Sequence, residues 1–537
     1  MSLLKKLGLA ALSGLLFTLA WPRDGFAPLI FIAFVPLLLI SYDLKKSKAK
    51  TMQITLFAYI AFVIWNALTT YWVWFSSPPG GVAAIVLLSL FFTIVYTAFQ
   101  FTYKYLPGNW GLLSLPVYWI AFEKFHLGWD LTWPWLTLGN VFSEYYTWIQ
   151  WYEYTGVFGG TTWVFVINIL VFIALLKFDK ANVKKAIAPV FIAVTLIAIP
   201  VVLSIVRYTG YTEKSKPINV LVVQPNIDPY NEKFSSGTYV QQTQKFINLA
   251  QPLLDSTVDY VIGPETALSA GIEEDYISEY TEVKLLRKML NASPHALLVT
   301  GASTYRFYKK WETPSETARK DKQQGYYFDH YNTALQIDSA KDVQYSHKSK
   351  LVPGVERMPT WAAFLEEFAI DLGGMSGSLG RDTLQHVFED KATGFKIAPS
   401  ICYESVYGEY MGGFVNKGAE LIFIITNDGW WGNTPGHRQH CSYARLRAIE
   451  SRRSIARSAN TGISCFVNQR GDISQATEYW VPAAIKQTIN ANSELTFYTL
   501  HGDYIARVCN WLLLGFLGWA IGLRVMVWRN RKKVKVN

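Results

Sequence analysis

Cys402 is the residue of this chain whose type and position best suit covalent chemistry. It follows a mostly apolar, strand-like run over 395–401 and precedes Tyr403 and Glu404. A thiol suits acyl transfer near neutral pH because a fraction of it is already ionised at its free pKa. Free cysteines are also among the most buried residue types and usually act as small apolar side chains. This segment alone therefore leaves a catalytic and a structural interpretation open.

Two charged residues stand at the ends of other strand-like runs and could act with this thiol. Glu265 follows the apolar run 260–264, and Lys348 lies in the segment 345–353. Either residue alone is typical of a solvated surface position. Together with Cys402 they supply a carboxylate to take the thiol proton, a thiolate to attack a carbonyl and an ammonium to stabilise the oxyanion. This combination predicts the transfer of an acyl group from an ester or an amide.

Other chemistries have weaker support in the sequence. Serine catalysis would need a Gly-x-Ser-x-Gly segment, which the chain does not contain. His437 and His440 fall on one face of a predicted helix, but no third and fourth ligands accompany them, so no metal site is predicted. The 4 cysteines form no C-x-x-C pair and no disulfide framework, and they leave the redox compartment open. No cofactor is predicted.

The elements that must position these residues include a membrane domain. Apolar residues make up 51% of the chain and cluster in long runs. Eight runs approach the roughly 20 residues that cross a bilayer core: 6–21, 28–42, 53–75, 82–103, 110–125, 159–176, 187–207 and 509–528. The first, second and fifth runs are short, so one or two re-entrant or tilted segments are an alternative. A cleaved signal peptide is a further alternative for the first run, although no clear cleavage site follows it.

Basic residues indicate which side of the membrane each loop occupies. They cluster in four places: Lys5 and Lys6, 45–50, 177–185 and 529–535. The intervening loop 76–81 has none. By the positive-inside rule both termini are cytoplasmic, which places residues 208–508 on the outer side. The net charge of +10 mostly reflects this topology, so we predict no nucleic-acid binding.

The middle of the chain has the pattern of a soluble α/β domain. Its candidate strands are 218–224, 260–264, 296–301, 332–337, 396–402, 421–427 and 463–468, and its candidate helices are 239–254, 278–291, 405–417 and 436–451. Strands that alternate with helices favour a layered fold, and continuous apolar strands favour burial on both faces. We therefore predict a membrane domain over 1–207, a soluble catalytic domain over 208–508, and a membrane helix with a basic tail over 509–537.

Two further segments each leave two interpretations open. The stretch 126–156 is dense in tryptophan and tyrosine, which is typical of an interfacial aromatic belt and would also suit a lipid-binding wall. The stretch 353–390 contains several aromatic residues and a glycine-rich part. It is either a mobile lid that enters the headgroup region or an ordinary packed helix and loop.

Several motifs resemble those of the nitrilase superfamily. Gly263-Pro264-Glu265-Thr266, the segment 348–353 and Ile401-Cys402-Tyr403-Glu404 match its Glu-Lys-Cys triad. Further matches lie in 426–432, 437–440, 445–450 and 457–462. With the predicted spans, these motifs make nearly the whole chain similar to the membrane-embedded branch of the superfamily, the apolipoprotein N-acyltransferases of Gram-negative bacteria.

The resemblance implies a fold, a location and a reaction. The fold is an αββα sandwich domain on about eight transmembrane helices, facing the periplasm from a bacterial inner membrane. The reaction moves an acyl chain from a phospholipid, typically phosphatidylethanolamine, to the α-amino group of the diacylglyceryl-cysteine that begins an apolipoprotein. The implied scheme is ping-pong, through a cysteine thioester. The implied partners are these two substrates and the lipid bilayer.

The resemblance also implies roles for individual residues. Glu265 matches the general base, Lys348 the oxyanion stabiliser and Cys402 the nucleophile. The supporting residues implied by the same match are Glu356, Tyr403 and Glu404. The backbone N–H of Tyr403 is a candidate oxyanion donor.

The loops around the implied triad carry a further match and two departures from the family pattern. Trp430 matches a tryptophan near the acyl pocket. Phe234 stands where the family has a tryptophan, and Pro353-Gly354-Val355-Glu356 stands where it has Pro-Phe-Gly-Glu. Both departures concern loop contacts and substrate preference, and they leave the triad intact.

Two rival functions remain at this stage. A membrane-tethered amidase that uses water as the acceptor would have the same triad, but a soluble substrate would need neither an aromatic wall nor several spans. A polytopic binding protein with an inactive nitrilase-like domain would not need Glu265, Lys348 and Cys402 together. The acyltransferase is therefore the prediction, with the hydrolase as its alternative.

Overall fold

Helices form the two ends of the chain, and the middle is a domain of two β-sheets. The computed structural model describes residues 1–22, 24–179, 182–321, 325–358 and 378–536, with side chains up to residue 530. Residues 359–377, at the centre of the predicted lid, lie outside the described residues.

The helices are α1 (Leu3–Ala20), α2 (Val35–Lys46), α3 (Gln53–Thr70), α4 (Val73–Ser76), α5 (Pro78–Tyr105), α6 (Trp110–His126), α7 (Tyr152–Lys177), α8 (Lys184–Gly210), α9 (Tyr239–Ala250), α10 (Thr281–Leu290), α11 (Gly408–Asn416), α12 (Pro435–Ser451), α13 (Phe497–His501) and α14 (Tyr504–Val536). The strands are β1 (Pro217–Gln224), β2 (Tyr260–Ile262), β3 (Leu268–Glu273), β4 (Leu297–Phe307), β5 (Arg319–Lys320), β6 (Tyr327–Ile337), β7 (Val343–His347), β8 (Phe388–Glu389), β9 (Lys396–Ile401), β10 (Leu421–Thr426), β11 (Ile455–Ala459), β12 (Cys465–Val467), β13 (Ile473–Ser474) and β14 (Ala483–Asn490).

Within the described residues, 7 helices are long and apolar enough to cross a bilayer. They are Leu3–Ala20, Ala27–Lys46, Gln53–Thr70, Pro78–Tyr105, Tyr152–Lys177, Lys184–Gly210 and Tyr504–Asn530. Each overlaps one of the predicted spans. The remaining predicted span, 110–125, forms α6, a helix of 17 residues with Pro116 inside it. At 1.5 Å per residue α6 is about 25 Å long, somewhat short of a bilayer core of about 30 Å. The chain is a multi-pass membrane protein.

A row of aromatic rings packs α6 into the bundle. The rings of Phe17 on α1 and Trp65 on α3 stack with centroids 4.6 Å apart. Trp65 stacks on Phe92 of α5 at 5.3 Å, and Phe92 stacks on Trp119 of α6 at 4.7 Å. These separations suit stacked aromatic pairs, which add to the attraction from burial alone. The helices α1, α3, α5 and α6 therefore share one aromatic core.

The α/β domain consists of two facing sheets covered by helices. The first sheet has the order β14-β1-β2-β4-β6-β5, with β3 beside β4 and β7 beside β6, and the second has the order β13-β12-β11-β10-β9-β8. Apolar side chains from both sheets form the core between them. Helices α9 and α10 pack on the outer face of the first sheet, and α11 and α12 pack on that of the second. The predicted αββα sandwich is confirmed.

Strand β1 shows why the central strands are apolar without interruption. Val220 and Val222 face the core between the sheets. Leu221 and Val223 face the core under α9 and α10. Successive side chains of a strand point to opposite faces, so a strand that is covered on both sides needs apolar residues at every position.

An ion-pair network centred on the buried Glu153 joins the α/β domain to the membrane helices. Glu153, in the first turn of α7, accepts from Arg452 Nε at 2.7 Å and from Arg207 Nε, near the end of α8, at 2.9 Å. Arg452 ends α12 in a left-handed conformation (φ 50°) and also donates to Gln150 Oε1 at 2.6 Å. Burying the charges of Glu153 and Arg452 is tolerable only because each is paired and hydrogen-bonded. The network holds α12, which borders the candidate site, against α7 and α8.

Candidate active site

The three predicted catalytic residues each follow a strand and are buried. Glu265 comes shortly after β2, Lys348 directly after β7 and Cys402 directly after β9. They are 6%, 1% and 8% exposed, respectively. Charges removed from water in this way interact far more strongly than they would at the surface.

Lys348 bridges two carboxylates. Its Nζ donates to Glu265 Oε1 at 3.1 Å and to Glu356 Oε1 at 2.7 Å. Asn332, on β6, donates through Nδ2 to the same two oxygens, at 2.7 Å and 3.0 Å. The other oxygen of Glu356 accepts the backbone N–H of Val352 at 2.8 Å. The structure thus brings together the predicted Glu265, Lys348 and Glu356, and it holds the ammonium in one position.

The pKa shifts of this group follow from burial and from the ion pairs. Burial alone would raise the pKa of Glu265, but Lys348, Asn332 and a further lysine hold it below its ordinary value. Burial would lower the pKa of Lys348, but its two carboxylates hold it well above its ordinary value. Burial raises the pKa of the Cys402 thiol, and the charge of Glu265 raises it further, against the opposing effect of Lys348. The resting site therefore contains an ionised carboxylate, an ammonium and a neutral thiol.

The backbone at Cys402 makes a sharp turn between a strand and a helix. The residue has a φ of 50°, in the left-handed region, and opens the 3₁₀ helix Cys402–Val406. This conformation is uncommon for a residue with a side chain and persists only where its surroundings enforce it. The turn therefore needs support from neighbouring groups.

Glu404 supplies part of that support. Its Oε2 accepts the backbone N–H of Ile401 at 2.9 Å, just before the turn. Its Oε1 accepts the backbone N–H of Ser349 at 2.6 Å and the hydroxyl of Tyr410 at 2.8 Å. This buried carboxylate thus joins the turn at Cys402 to the chain that follows Lys348, so both predicted residues share one anchor.

An aromatic cluster, three of whose four members precede residue 208, lies against the nucleophile turn. We call Trp72, Trp133, Trp135 and Trp431 the tryptophan cluster, because each ring contacts at least two of the others at centroid distances of 4.8 to 6.0 Å. The ring of Tyr403 stacks on Trp133 at 6.0 Å, and its hydroxyl donates to the backbone oxygen of Thr132 at 2.9 Å. Part of the predicted aromatic stretch 126–156 therefore borders the site.

The remaining predicted residues, Trp430 and Phe234, each contact a tyrosine. Trp430 is half-buried, and its ring packs edge-on against Tyr230 at 5.2 Å. Phe234 is half-buried, and its backbone oxygen accepts the hydroxyl of Tyr239 at 3.4 Å. Substrate binding by Trp430 and Phe234 stays a prediction.

Lys233 and Asn332 are site residues that the sequence did not reveal. Lys233 is 2% exposed, and its Nζ donates to the backbone oxygen of Glu265 at 2.8 Å. Burial lowers its pKa to about 8, against the opposing charges of Glu265 and Cys402. Asn332 could have been suspected because it is a polar residue in a mostly apolar strand. Lys233 stands in a polar loop, where nothing in the sequence marks it as a site residue.

One cluster near the thiol has the composition of a metal site. Potential ligand atoms of Cys402, Asp428 and His440 lie within 4.8 Å of one another. Both ring nitrogens of His440 already have partners, and Arg457 Nη2 lies 2.7 Å from Asp428 Oδ2. A guanidinium beside the carboxylate opposes a second cation, so this arrangement suits a hydrogen-bonded network better than a metal ion.

The sandwich and the buried cysteine, lysine and glutamate agree with the class that the motifs indicated, and comparison with known proteins identifies the family. A family model described as carbon-nitrogen hydrolase matches residues 220–493, more than half of the chain. The chain therefore belongs to the carbon-nitrogen hydrolase family. A model described as the apolipoprotein N-acyltransferase N-terminal domain matches residues 13–170. The resemblance drawn from the motifs is confirmed.

Two relatives are similar to this chain over nearly its whole length. The apolipoprotein N-acyltransferase of Chlorobaculum tepidum is 29% identical over 529 residues, covering 93% of this chain and 94% of its own. The apolipoprotein N-acyltransferase of Geobacter metallireducens is 26% identical over 520 residues, covering 93% and 92%. Among solved structures, Saccharomyces cerevisiae Nit3, a member of branch 10 of the nitrilase superfamily, covers 54% of this chain and 96% of its own, with 17% identity and a TM-score of 0.36.

Proposed function

We propose that this chain is an N-acyltransferase. It would move an acyl chain from a phospholipid, through a thioester on Cys402, to the α-amino group of the N-terminal diacylglyceryl-cysteine of an apolipoprotein. The two family models and the names of both relatives support the acyltransferase class. The observation that carries the proposal is the buried Lys348–Glu265 ion pair beside a cysteine whose turn packs against membrane-domain tryptophans.

The first half-reaction uses the three residues in turn. As Sγ of Cys402 attacks the ester carbonyl of the phospholipid, the carboxylate of Glu265 accepts the thiol proton. The ammonium of Lys348 stabilises the oxyanion, with the backbone N–H of Tyr403 as a second donor. The C–O bond then breaks, the lysophospholipid oxygen takes the proton from Glu265, and the acyl chain remains on sulfur.

In the second half-reaction the thioester is the acyl donor. The neutral α-amine of the acceptor attacks the thioester carbonyl, and Glu265 accepts the proton that the nitrogen loses. The C–S bond breaks, and the thiolate of Cys402 recovers a proton from Glu265. The products are an amide and the resting thiol, so the two substrates occupy one site in succession.

The supporting residues fit this scheme. Glu356 helps to hold Lys348 in place, and Glu404 holds the nucleophile turn. Trp430 and Phe234 would contact the acyl chain or the headgroup. The acyl donor would be phosphatidylethanolamine, and the acceptor a diacylated apolipoprotein.

The proposal includes a location and a division of the chain. Residues 1–207 would form the membrane domain, 208–508 the catalytic domain, and 509–537 a last membrane helix with a cytoplasmic basic tail. The clusters of lysine and arginine at alternate loops support a bacterial inner membrane protein whose catalytic domain faces the periplasm.

Intact-protein mass spectrometry tests the proposed function directly. The detergent-solubilised chain is incubated with phosphatidylethanolamine and then with a synthetic diacylated lipopeptide. We expect one acyl mass on the protein after the first step and its loss to the lipopeptide in the second. Release of the chain as free fatty acid, with no acylated lipopeptide, would instead favour the membrane-tethered hydrolase that uses water.

We expect pH to affect the two half-reactions differently. Thioester formation needs an ionised Glu265, and the pKa of that carboxyl is held below its ordinary value of about 4.3. This step should therefore keep its rate as the pH falls from about 8 to about 5.5. Transfer needs a neutral α-amine with a pKa of about 8, so its rate should fall about tenfold for each pH unit below that value. Single-turnover measurements of each step check this, and an equal fall of both rates would contradict it.

A further inference from the structure

The backbone oxygen of Cys402 is held by two side chains. Ser405 Oγ donates to it at 2.8 Å, and His440 Nε2 lies 3.2 Å from it. Because a carbonyl oxygen can only accept, a hydrogen bond here requires that Nε2 carries the hydrogen. These two contacts fall on the one residue of the turn with a φ of 50°. They therefore oppose rotation of the peptide that follows the nucleophile.

His440 is itself fixed by a buried network. Its Nδ1 lies 3.0 Å from Asp428 Oδ1 and 3.0 Å from Arg457 Nη2, and the same Nη2 donates to Asp428 Oδ2 at 2.7 Å. The side chains of these three residues are almost completely excluded from water. A buried network in which each charge is paired is rigid, because any rotation would leave a charge unpaired in a medium of low dielectric.

The helix that carries His440 is locally well defined. Thr434 caps α12 by accepting the backbone N–H of Gly436 at 3.4 Å, and Pro435 occupies the first turn, where its missing N–H costs nothing. The imidazole ring packs against Trp135 at 5.7 Å and Trp431 at 5.6 Å, both of the tryptophan cluster. His440 thus touches the nucleophile turn on one side and the tryptophan cluster on the other.

From this geometry we infer that His440 is a positioning residue for the nucleophile, an inference that rests on the proposed acyl transfer. By donating from Nε2 to the carbonyl of Cys402, it holds the left-handed turn in which Sγ is presented to the substrate. Asp428 and Arg457 hold the ring in the orientation that this bond requires. A nitrogen that donates to this carbonyl cannot accept the thiol proton, so His440 leaves the role of base to Glu265. The tryptophan cluster packs against the same ring, so this cluster and the nucleophile turn share one support.

Two substitutions of His440 distinguish the hydrogen bond made by Nε2 from the contacts made by Nδ1. In His440→Gln the amide nitrogen reaches the place of Nε2 and can still donate to the Cys402 carbonyl. In His440→Asn the shorter side chain reaches only the place of Nδ1. It keeps the contact with Asp428 and loses the hydrogen bond to the Cys402 carbonyl. We expect thioester formation to slow by up to about 10²-fold in His440→Asn, with an unchanged KM for phosphatidylethanolamine, because a small displacement of a reacting group costs this much. His440→Gln should retain most of the rate.

His437→Asn is the matched control, because this histidine lies on the same helix but contacts Asn433 and Tyr479 instead. We expect it to keep the wild-type rate. Hydrogen–deuterium exchange supplies a readout that does not depend on acyl transfer. Backbone N–H groups in the turn at 402–406 should exchange faster in His440→Asn and at the wild-type rate in His440→Gln.

The outcomes that overturn this inference are distinct from those that overturn the proposed function. Equal rate losses in His440→Gln and His440→Asn, or unchanged exchange at 402–406 in His440→Asn, would remove the positioning role. A wild-type chain that forms no thioester would remove the proposed function, and the exchange measurement would still decide whether His440 holds the turn.

Discussion

Cys402→Ser should abolish acyl transfer while leaving the chain folded in the membrane. We expect the rate of acyl-enzyme formation to fall by about 10⁴-fold or more, as is usual when a nucleophile is removed. Burial already keeps the thiol of Cys402 protonated, and a serine hydroxyl is a much weaker acid. Glu265 is a weak base, since its pKa is held low, and it could not activate a serine. The measurement is the acyl mass on the protein after incubation with phosphatidylethanolamine.

A second thiol provides the control for this experiment. Cys509 lies on α14, away from the candidate site, and is also a free cysteine. Cys509→Ser should retain wild-type acylation, and both variants should remain in the membrane fraction after extraction at alkaline pH. Full acyl transfer by Cys402→Ser would refute the assignment of the nucleophile, whatever the behaviour of the control.

Lys348→Met should damage both the stability and the activity of the chain. Without the ammonium, Glu265 and Glu356 lose the cation they share and keep only the Asn332 amide between them. Breaking a buried pair in this way costs about 3–5 kcal/mol of unfolding free energy. The two carboxylates then repel, the pKa of Glu265 rises, and the oxyanion loses its main donor. We expect thioester formation to slow by about 10²- to 10³-fold.

Two further variants separate stability from catalysis at Lys348. The double variant Lys348→Met with Glu356→Gln removes the repulsion, so it should recover much of the thermal stability and none of the activity. Lys350→Met is the matched control, because the Lys350 ammonium is half-buried and lies over the rings of Tyr407 and Tyr410 at 5.1 and 5.7 Å. It should lose about 1 kcal/mol or less. If activity returned with stability in the double variant, Lys348 would have a structural role only.

Much of the architecture was predictable because it depends on local pattern. Predicted helix 436–451 agrees with Pro435–Ser451, whose first turn is set by the adjacent Thr434 and Pro435. Glu265 and Cys402 were identified because each follows an apolar run, and the structure places both after strands that are buried on both faces. The periodicity of apolar residues and the residues that end a run are local properties, so sequence alone determines them. The length limit of a bilayer left the first, second and fifth runs in doubt, and the structure gives helices long enough to cross for the first two but not for α6.

Tertiary structure alone decided which strand ends meet. Asn332 and Glu265 are 67 positions apart, and Lys233 and Glu265 are 32 apart, yet each pair is hydrogen-bonded. Nothing near Lys233 in the sequence distinguishes it from an ordinary surface lysine. His440 is similar, since its role follows from its distance to the Cys402 carbonyl and from the tryptophan cluster beside it. Sheet order and domain packing set these distances, and both arise from the burial of many residues together. The sequence by itself therefore determined the elements and the chemical groups at their ends, whereas the packed structure determined their partners.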